Sequence, residues 1–295
     1  MRSMELPVVV GVDGSEASLH AADWAAEEAA LHGVPLRVVY ASLWERYEGP
    51  ALAQGLGRSS EQVLNDSIVG SAAKRAQRRN PDLKITTEVL PDDSVSALLH
   101  EGRNASVLVV ASRGRGGIAE RLLGSVSLAV AARADCPVVV LRDGREHRGR
   151  SGIGQRVVLG VGDEPESATV EFAFQEAADR YATLHAVRAW RRPAHRPAAP
   201  PPTAGDPAHH FVRRAAQTLE NALRDAAGEH PSVQVRRRTV EGSPLQVLME
   251  ASATADLLVV GARRHGARSG LQLGRVAHGA LHHSACPVAV VPRRA

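Results

Sequence analysis

The residues best suited to chemistry lie between two short apolar runs, Val107–Ala111 and Pro137–Leu141. Gly114, Gly116 and Gly117 stand there flanked by Arg113 and Arg115, and Gly124-Ser125-Val126-Ser127 follows, opening onto the alanine-rich stretch Leu128–Arg133. Glycines admit positive φ and let backbone approach a ligand closely. Backbone N–H groups, the two serine hydroxyls, the guanidiniums and a helix N-terminus all suit an anion. The arrangement predicts a phosphate cradle. The alternative is a tight strand–helix turn that needs glycine but holds no ligand. Asp13, in Gly11-Val-Asp-Gly-Ser15, is the second chemical group, a carboxylate able to accept hydrogen bonds from a ribose hydroxyl or a purine amino group.

Both groups need a scaffold, and hydrophobic patterning supplies one. Val107–Ala111 is short and rich in β-branched residues, as a strand covered on both faces is. Val8–Val12 reads as a first strand ending at Asp13-Gly14-Ser15. Ser15 is placed to cap a helix over Glu16–His32, with Glu16 complementing its dipole and Gly33 ending it. Leu36–Ser42 follows as a strand, Gly49–Gly57 as a loop and Ser59–Arg79 as a long helix. Lys84–Leu90, a helix near Val95–Glu101 and the strands at Val107 and Val138 complete a five-stranded unit.

This unit recurs. VVVGVDGSEAS near the start returns as RVVLGVGDEPES from Arg156, SVLVVASRG as DLLVVGARR from Asp256, and ADCPVVVLR as SACPVAVVPR from Ser284. Strands near Val157–Val161, Thr183–Trp190, Val233–Val240, Leu257–Gly261 and Val288–Val291 are expected in the second copy. Alternation of strands with amphipathic helical stretches predicts an α/β fold, with two tandem doubly wound domains over residues 1–145 and 154–295. The polar segment Asp143–Gln155 divides them, and the proline-rich Arg192–Pro207 reads as an exposed loop. Right-handed crossovers restrict the strand order. In the order 3-2-1-4-5 the first and fourth strands are neighbours at a switch point, where ligands bind beyond the strands' carboxyl ends. Asp13 and the glycine loop, about a hundred residues apart, then face one crevice, and a nucleotide is its natural occupant.

At these residues the sequence resembles the universal stress protein family in its tandem-domain form. ATP-binding members carry a G-x2-G-x9-G-[ST] pattern after the fourth strand; here Ala111-Ser-Arg-Gly114 is followed, after nine intervening residues, by Gly124-Ser125. The opening GVDGS and the closing CPVVV also look like the family, and the resemblance covers both halves. It implies a doubly wound fold, ATP binding with or without Mg in the competent half, and dimerisation as a homodimer or as an intramolecular pseudo-dimer. Carried over, Asp13 meets the adenosine, backbone at Ala41 lies beside adenine, and backbone at Val12 is close. Gly114, Gly124, Ser125 and Ser127 hold ribose and phosphates, with Ala111, Arg113 and Val126 completing the site. Ala111 departs from the pattern's first glycine, at a cost of about 1 kcal/mol or more if positive φ is required there.

The second half departs further. Gly162 aligns with Asp13, Arg264 replaces the middle glycine, and Arg275 and Ala277 replace Ser125 and Ser127. This half reads as a degenerate site. Arg263, Arg264, Arg268 and Arg275 form either a solvated basic face or a site for another anion.

Composition sets the remaining bounds. The 295 residues suit two domains, with 44% hydrophobic but only 3% aromatic residues, so Val, Leu and Ala must do the packing. A net charge of +4 fits anionic ligands or nucleic acid, and equally a composition biased toward arginine. No apolar run approaches the ~18 residues of a membrane span, so the expected location is the cytoplasm. Cys136 and Cys286 sit at matching places without CxxC spacing and read as small buried residues at strand starts. His209-His210 and His282-His283 read as surface histidines. The chain has no G-x4-G-K-[ST] P-loop and no G-x-G-x-x-G, and lacks the SGGxDS loop or histidine signature of ATP pyrophosphatases and adenylyltransferases. Catalytic residues are therefore not assigned, and any ATP hydrolysis is expected to be slow. The competing readings are a structural or regulatory-partner-binding module without ATP, a slow nucleotide hydrolase, and a nucleic-acid binder with strong salt dependence.

Overall fold

The computed structural model describes residues 6–43, 60–112, 123–142, 155–191, 207–262 and 273–293. The chain forms two compact α/β units. The first runs β1 (Val8–Gly11), α1 (Glu16–His32), β2 (Leu36–Ala41), α2 (Ser60–Arg79), β3 (Ile85–Leu90), α3 (Ser94–Gly102), β4 (Val107–Ala111), α4 (Ser125–Arg133), β5 (Val138–Leu141). Its strands lie in the order β3-β2-β1-β4-β5, all parallel.

The order follows from burial. Every residue of β4 is buried, as expected of a central strand covered by helices on both faces, and every residue of β5 is buried as well. The edge strand β3 exposes Thr86, Thr87 and Glu88 instead. Helix α1 reaches the sheet through small side chains: Ala21, Ala22, Ala25, Ala26 and Ala29 are fully buried. Its ends are local signals that hold. Ser15, in extended conformation, accepts a hydrogen bond from the Ser18 N–H, and Gly33 at φ 69° donates to the carbonyls of Ala29 and Ala30.

The second unit runs β6 (Arg156–Gly160), α5 (Ser167–Asp179), β7 (Thr183–Trp190), α6 (Pro207–Glu229), β8 (Val235–Glu241), α7 (Pro244–Ser252), β9 (Leu257–Gly261), α8 (Arg275–His283), β10 (Val288–Val291). Its strands repeat the first unit's order as β8-β7-β6-β9-β10, again parallel. Both units thus carry the doubly wound order 3-2-1-4-5.

Differences from expectation fall at element ends. Strand β1 stops at Gly11 because Val12, still donating to the Val39 carbonyl at 2.9 Å, leads into a turn in which the Asp13 N–H donates to Ser18 Oγ at 3.3 Å. Helix α4 begins at Ser125, three residues before the expected Leu128, so the serines belong to its first turn. The expected loops Gly49–Gly57 and Arg192–Pro207 and the linker Asp143–Gln155 lie almost wholly outside the described residues, as do Gly114, Gly116 and Gly117. Among the described residues, no helix is long and apolar enough to cross a membrane.

Candidate functional site

The carboxyl ends of β1, β2 and β4 form one edge of the first unit, and register fixes what stands there. Gly11 pairs with Val39 and Val10 with Val109. Two residues further on, Asp13 comes level with Ala41 on one side, and Val12 comes level with Ala111 on the other. Val12 and Ala111 are buried, while Asp13 and Ala41 are half-buried. Asp13 Oδ1 accepts from the Ser15 N–H at 3.0 Å and from Ser15 Oγ at 2.6 Å, which fixes the carboxylate at the start of α1. Between them Gly14 adopts φ 80°, a conformation glycine enters without strain.

Beyond β4, Ser112 is buried; its N–H donates to the Leu141 carbonyl and its own carbonyl accepts the Gly124 N–H, both at 2.6 Å. This bond sets the start of α4 directly beyond β4. Gly124 is the N-cap residue, at φ −64° and ψ 146°, and offers no side chain to the first turn. The N–H groups of Ser125, Val126 and Ser127 are thus without side-chain caps at the positive end of the helix dipole. Ser125 is exposed. Ser127 is buried, and its Oγ donates to the Ala111 carbonyl at 2.5 Å, which ties α4 to β4.

Eight of the sequence-predicted residues therefore gather at this edge: Val12, Asp13, Ala41, Ala111, Gly124, Ser125, Val126 and Ser127. Arg113 and Gly114 lie outside the described residues. Ala111 sits in extended strand, and among the described residues Tyr181 alone combines positive φ with a side chain, so the feared backbone penalty at Ala111 does not arise. In the second unit the matching Gly261 has less room. A Cβ there would lie 3.1 Å from Thr169 Oγ1; matched from the helix ends, where Val34 and Ala182 donate to the carbonyls of Ala29 and Ala177, the first unit has the smaller, fully buried Ala21 at the position of Thr169.

The second unit's corresponding edge is built differently. Gly162 stands in the place of Asp13. Arg188, which the register aligns with Tyr40, is buried, and its guanidinium turns over the end of β6. It donates to the carbonyls of Val161 and Gly162 and to Asp163 Oδ1, the last at 2.8 Å. Next along β7, Trp190 stacks on Phe211 with ring centroids 6.4 Å apart, where the first unit has Ser42 accepting from Asn65 Nδ2. Arg275 is exposed at the first position of α8, and Ala277 offers no hydroxyl. Arg188 and Ser112 were missing from the sequence reading. A charged residue inside the otherwise apolar part of Thr183–Trp190 was the available signal for the first.

Neither cysteine suits nucleophilic chemistry. Cys136 and Cys286 are free and buried, and burial pushes both thiols up to about 11.

Both units have counterparts among known proteins. The sequence model of the Universal stress protein family matches residues 5–142 and, separately, residues 154–292. A universal stress protein of Mycobacterium tuberculosis is 32% identical over 298 residues, covering 96% of each chain. Another from the same organism is 31% identical over 303 residues, covering 97% of this chain and 94% of the relative. Among solved structures, a universal stress protein from Archaeoglobus fulgidus matches with a TM-score of 0.65 at 16% identity, covering 98% of this chain and 96% of that one.

Proposed function

Because the chain belongs to the universal stress protein family, in both of its halves, we propose that it is an ATP-binding stress-response or signalling protein whose first unit holds the nucleotide. One observation carries the reading. The Asp13 carboxylate and the uncapped N–H groups of Ser125, Val126 and Ser127 stand at the carboxyl ends of adjacent parallel strands, at the switch point of a doubly wound sheet. Phosphates suit the α4 N-terminus, with the exposed Ser125 hydroxyl as a further donor. Asp13 suits the ribose or base, with backbone at Val12 and Ala41 beside it and Ala111 as the small residue under the turn. Arg113 and Gly114 are assigned to the phosphate side on the motif alone. Mg, where present, accompanies the phosphates.

The second unit is proposed to bind no nucleotide. Gly162 lacks the carboxylate, and the Arg188 guanidinium occupies the end of β6 with the unit's own carbonyls. On this reading the protein acts in the cytoplasm as a homodimer or as an intramolecular pseudo-dimer, and occupancy rather than turnover is the signal. Asp13 is assigned to the adenosine side, away from the γ-phosphate, so at most slow hydrolysis is expected.

Calorimetric titration of ATP into protein stripped of nucleotide tests the proposal. One site per chain at roughly micromolar affinity is expected. Gly124→Val, which sets a branched side chain against the first-turn N–H groups, should abolish it. Gly274→Val should leave it unchanged. Two sites, or the reverse pattern between the variants, would remove the assignment of the competent half.

A further inference from the structure

Helix α8 carries His278 and His282 four residues apart, so the two rings project from one face in successive turns. Their ring centroids are 4.6 Å apart with planes inclined at 39°. His278 is exposed and His282 half-buried, and Gly279, Ala280 and Leu281 between them point into the core. The spacing has a direct chemical meaning. An imidazole nitrogen binds zinc at about 2.0–2.1 Å and the ring centre lies roughly 1.1 Å behind it, so two rings on one ion at bond angles near 90–110° have centroids about 4.5–5.3 Å apart. The observed separation falls in that range before any metal is added.

We infer that His278 and His282 form a surface site for a divalent transition metal, zinc or a neighbour of similar imidazole affinity, with water completing the coordination. A helical histidine pair at i and i+4 is an established way to present two ligands to one ion. The location favours a dication as well. His282 lies in the last turn of α8, where the carbonyl end of the dipole is negative, whereas the cationic Arg275 stands at the opposite end. His283 is set apart from the pair: its ring centroid is 6.0 Å from that of His282, and one residue further on its side chain turns about 100° around the helix. The site lies on the counterpart of the phosphate-cradle helix, in the unit that lacks the cradle's serines. It is independent of the nucleotide reading, and neither histidine belongs to that machinery.

The experiment is calorimetric titration of zinc chloride into the untagged full-length protein and into three variants, His278→Gln, His282→Gln and His283→Gln, each checked for native circular dichroism. With 13 histidines in the chain, the comparison between variants isolates this site from background. Wild type is expected to bind one zinc at roughly micromolar affinity. His278→Gln and His282→Gln should each weaken that site by about tenfold or more, and His283→Gln should match wild type. Absence of zinc binding by wild type, unchanged binding in the first two variants, or an equal loss in His283→Gln would overturn the inference. Should either of the first two variants lose native dichroism, His278→Asn or His282→Asn takes its place under the same criterion.

Discussion

Exchanging Asp13 for Asn separates the two tasks this residue would perform. Its Oδ1 holds the start of α1 by accepting from the Ser15 N–H at 3.0 Å and Ser15 Oγ at 2.6 Å. An asparagine carbonyl can accept both bonds in the same place, so the turn survives. What changes is charge and the second oxygen, which becomes a donor amide. Loss of a negative charge near the first turn of α1 costs about 0.3–1 kcal/mol, so the unfolding free energy should fall by no more than about 1 kcal/mol. Nucleotide affinity should suffer more. A hydrogen bond to a charged group contributes about 1.5–3 kcal/mol, and each 1.4 kcal/mol is about tenfold in affinity, so ATP should bind roughly ten- to hundredfold more weakly. Titration calorimetry gives the affinity and urea denaturation the stability. Asp13→Ala, which removes the acceptor altogether, should show the same loss of binding with a larger loss of stability. Wild-type ATP affinity in Asp13→Asn would refute the placement of the adenosine against this carboxylate.

Other expectations rest on single contacts. Ser127→Ala removes the buried donor to the Ala111 carbonyl and should lower the unfolding free energy by about 1 kcal/mol; an unchanged urea midpoint would show that the bond adds nothing. Cys136 and Cys286, buried and with thiols raised to about 11, should resist a disulfide reagent at pH 8 in the native protein and react, both together, in denaturant; rapid labelling of the folded chain would contradict this burial. Asp93 caps α3, and hydrogen bonds from the Ser96 hydroxyl and N–H, then the Val95 N–H, hold its carboxyl below the usual value of 3.8. Because the folded pKa is the depressed one, its contribution is complete above 3.8 and lost as pH falls through the lower folded value. Asp93→Asn should flatten the acid limb of the stability profile there, and an unaltered limb would assign it to other carboxylates.

What could be read from the sequence is what local chemistry decides. Ser15 and Gly33 fix both ends of α1 because an N-cap oxygen and a left-handed glycine act within four residues of themselves. The apolar run at Val107 was legible as a strand because full burial on both faces leaves no polar alternation to confuse it. The start of α4 was not legible, since Gly-Ser-Val-Ser reads locally as a turn. It is settled by the bonds from Gly124 to Ser112 and from Ser127 to Ala111, which span 12 and 16 residues. Ala111 shows the same limit of motif reading. The pattern asks for glycine, but what the backbone requires there is a small side chain in extended conformation, and the neighbouring helix decides how small. Where α5 carries Thr169, a side chain on the strand would be crowded and glycine stands there; where α1 carries Ala21, alanine fits. A motif score penalises Ala111 alone and misses the compensating exchange across the helix–strand interface. Arg188 is the converse case. The repeat alignment marks the second unit as having lost a carboxylate and two hydroxyls, yet it does not reveal that something was gained. The guanidinium reaches carbonyls and a carboxylate 25 to 27 residues away, so its role exists only once β6 and β7 are paired. The second unit's edge is therefore more than a worn copy of the first: a cation is fixed over its strand end by the unit's own carbonyls and a carboxylate, at the register position where the first unit carries Tyr40.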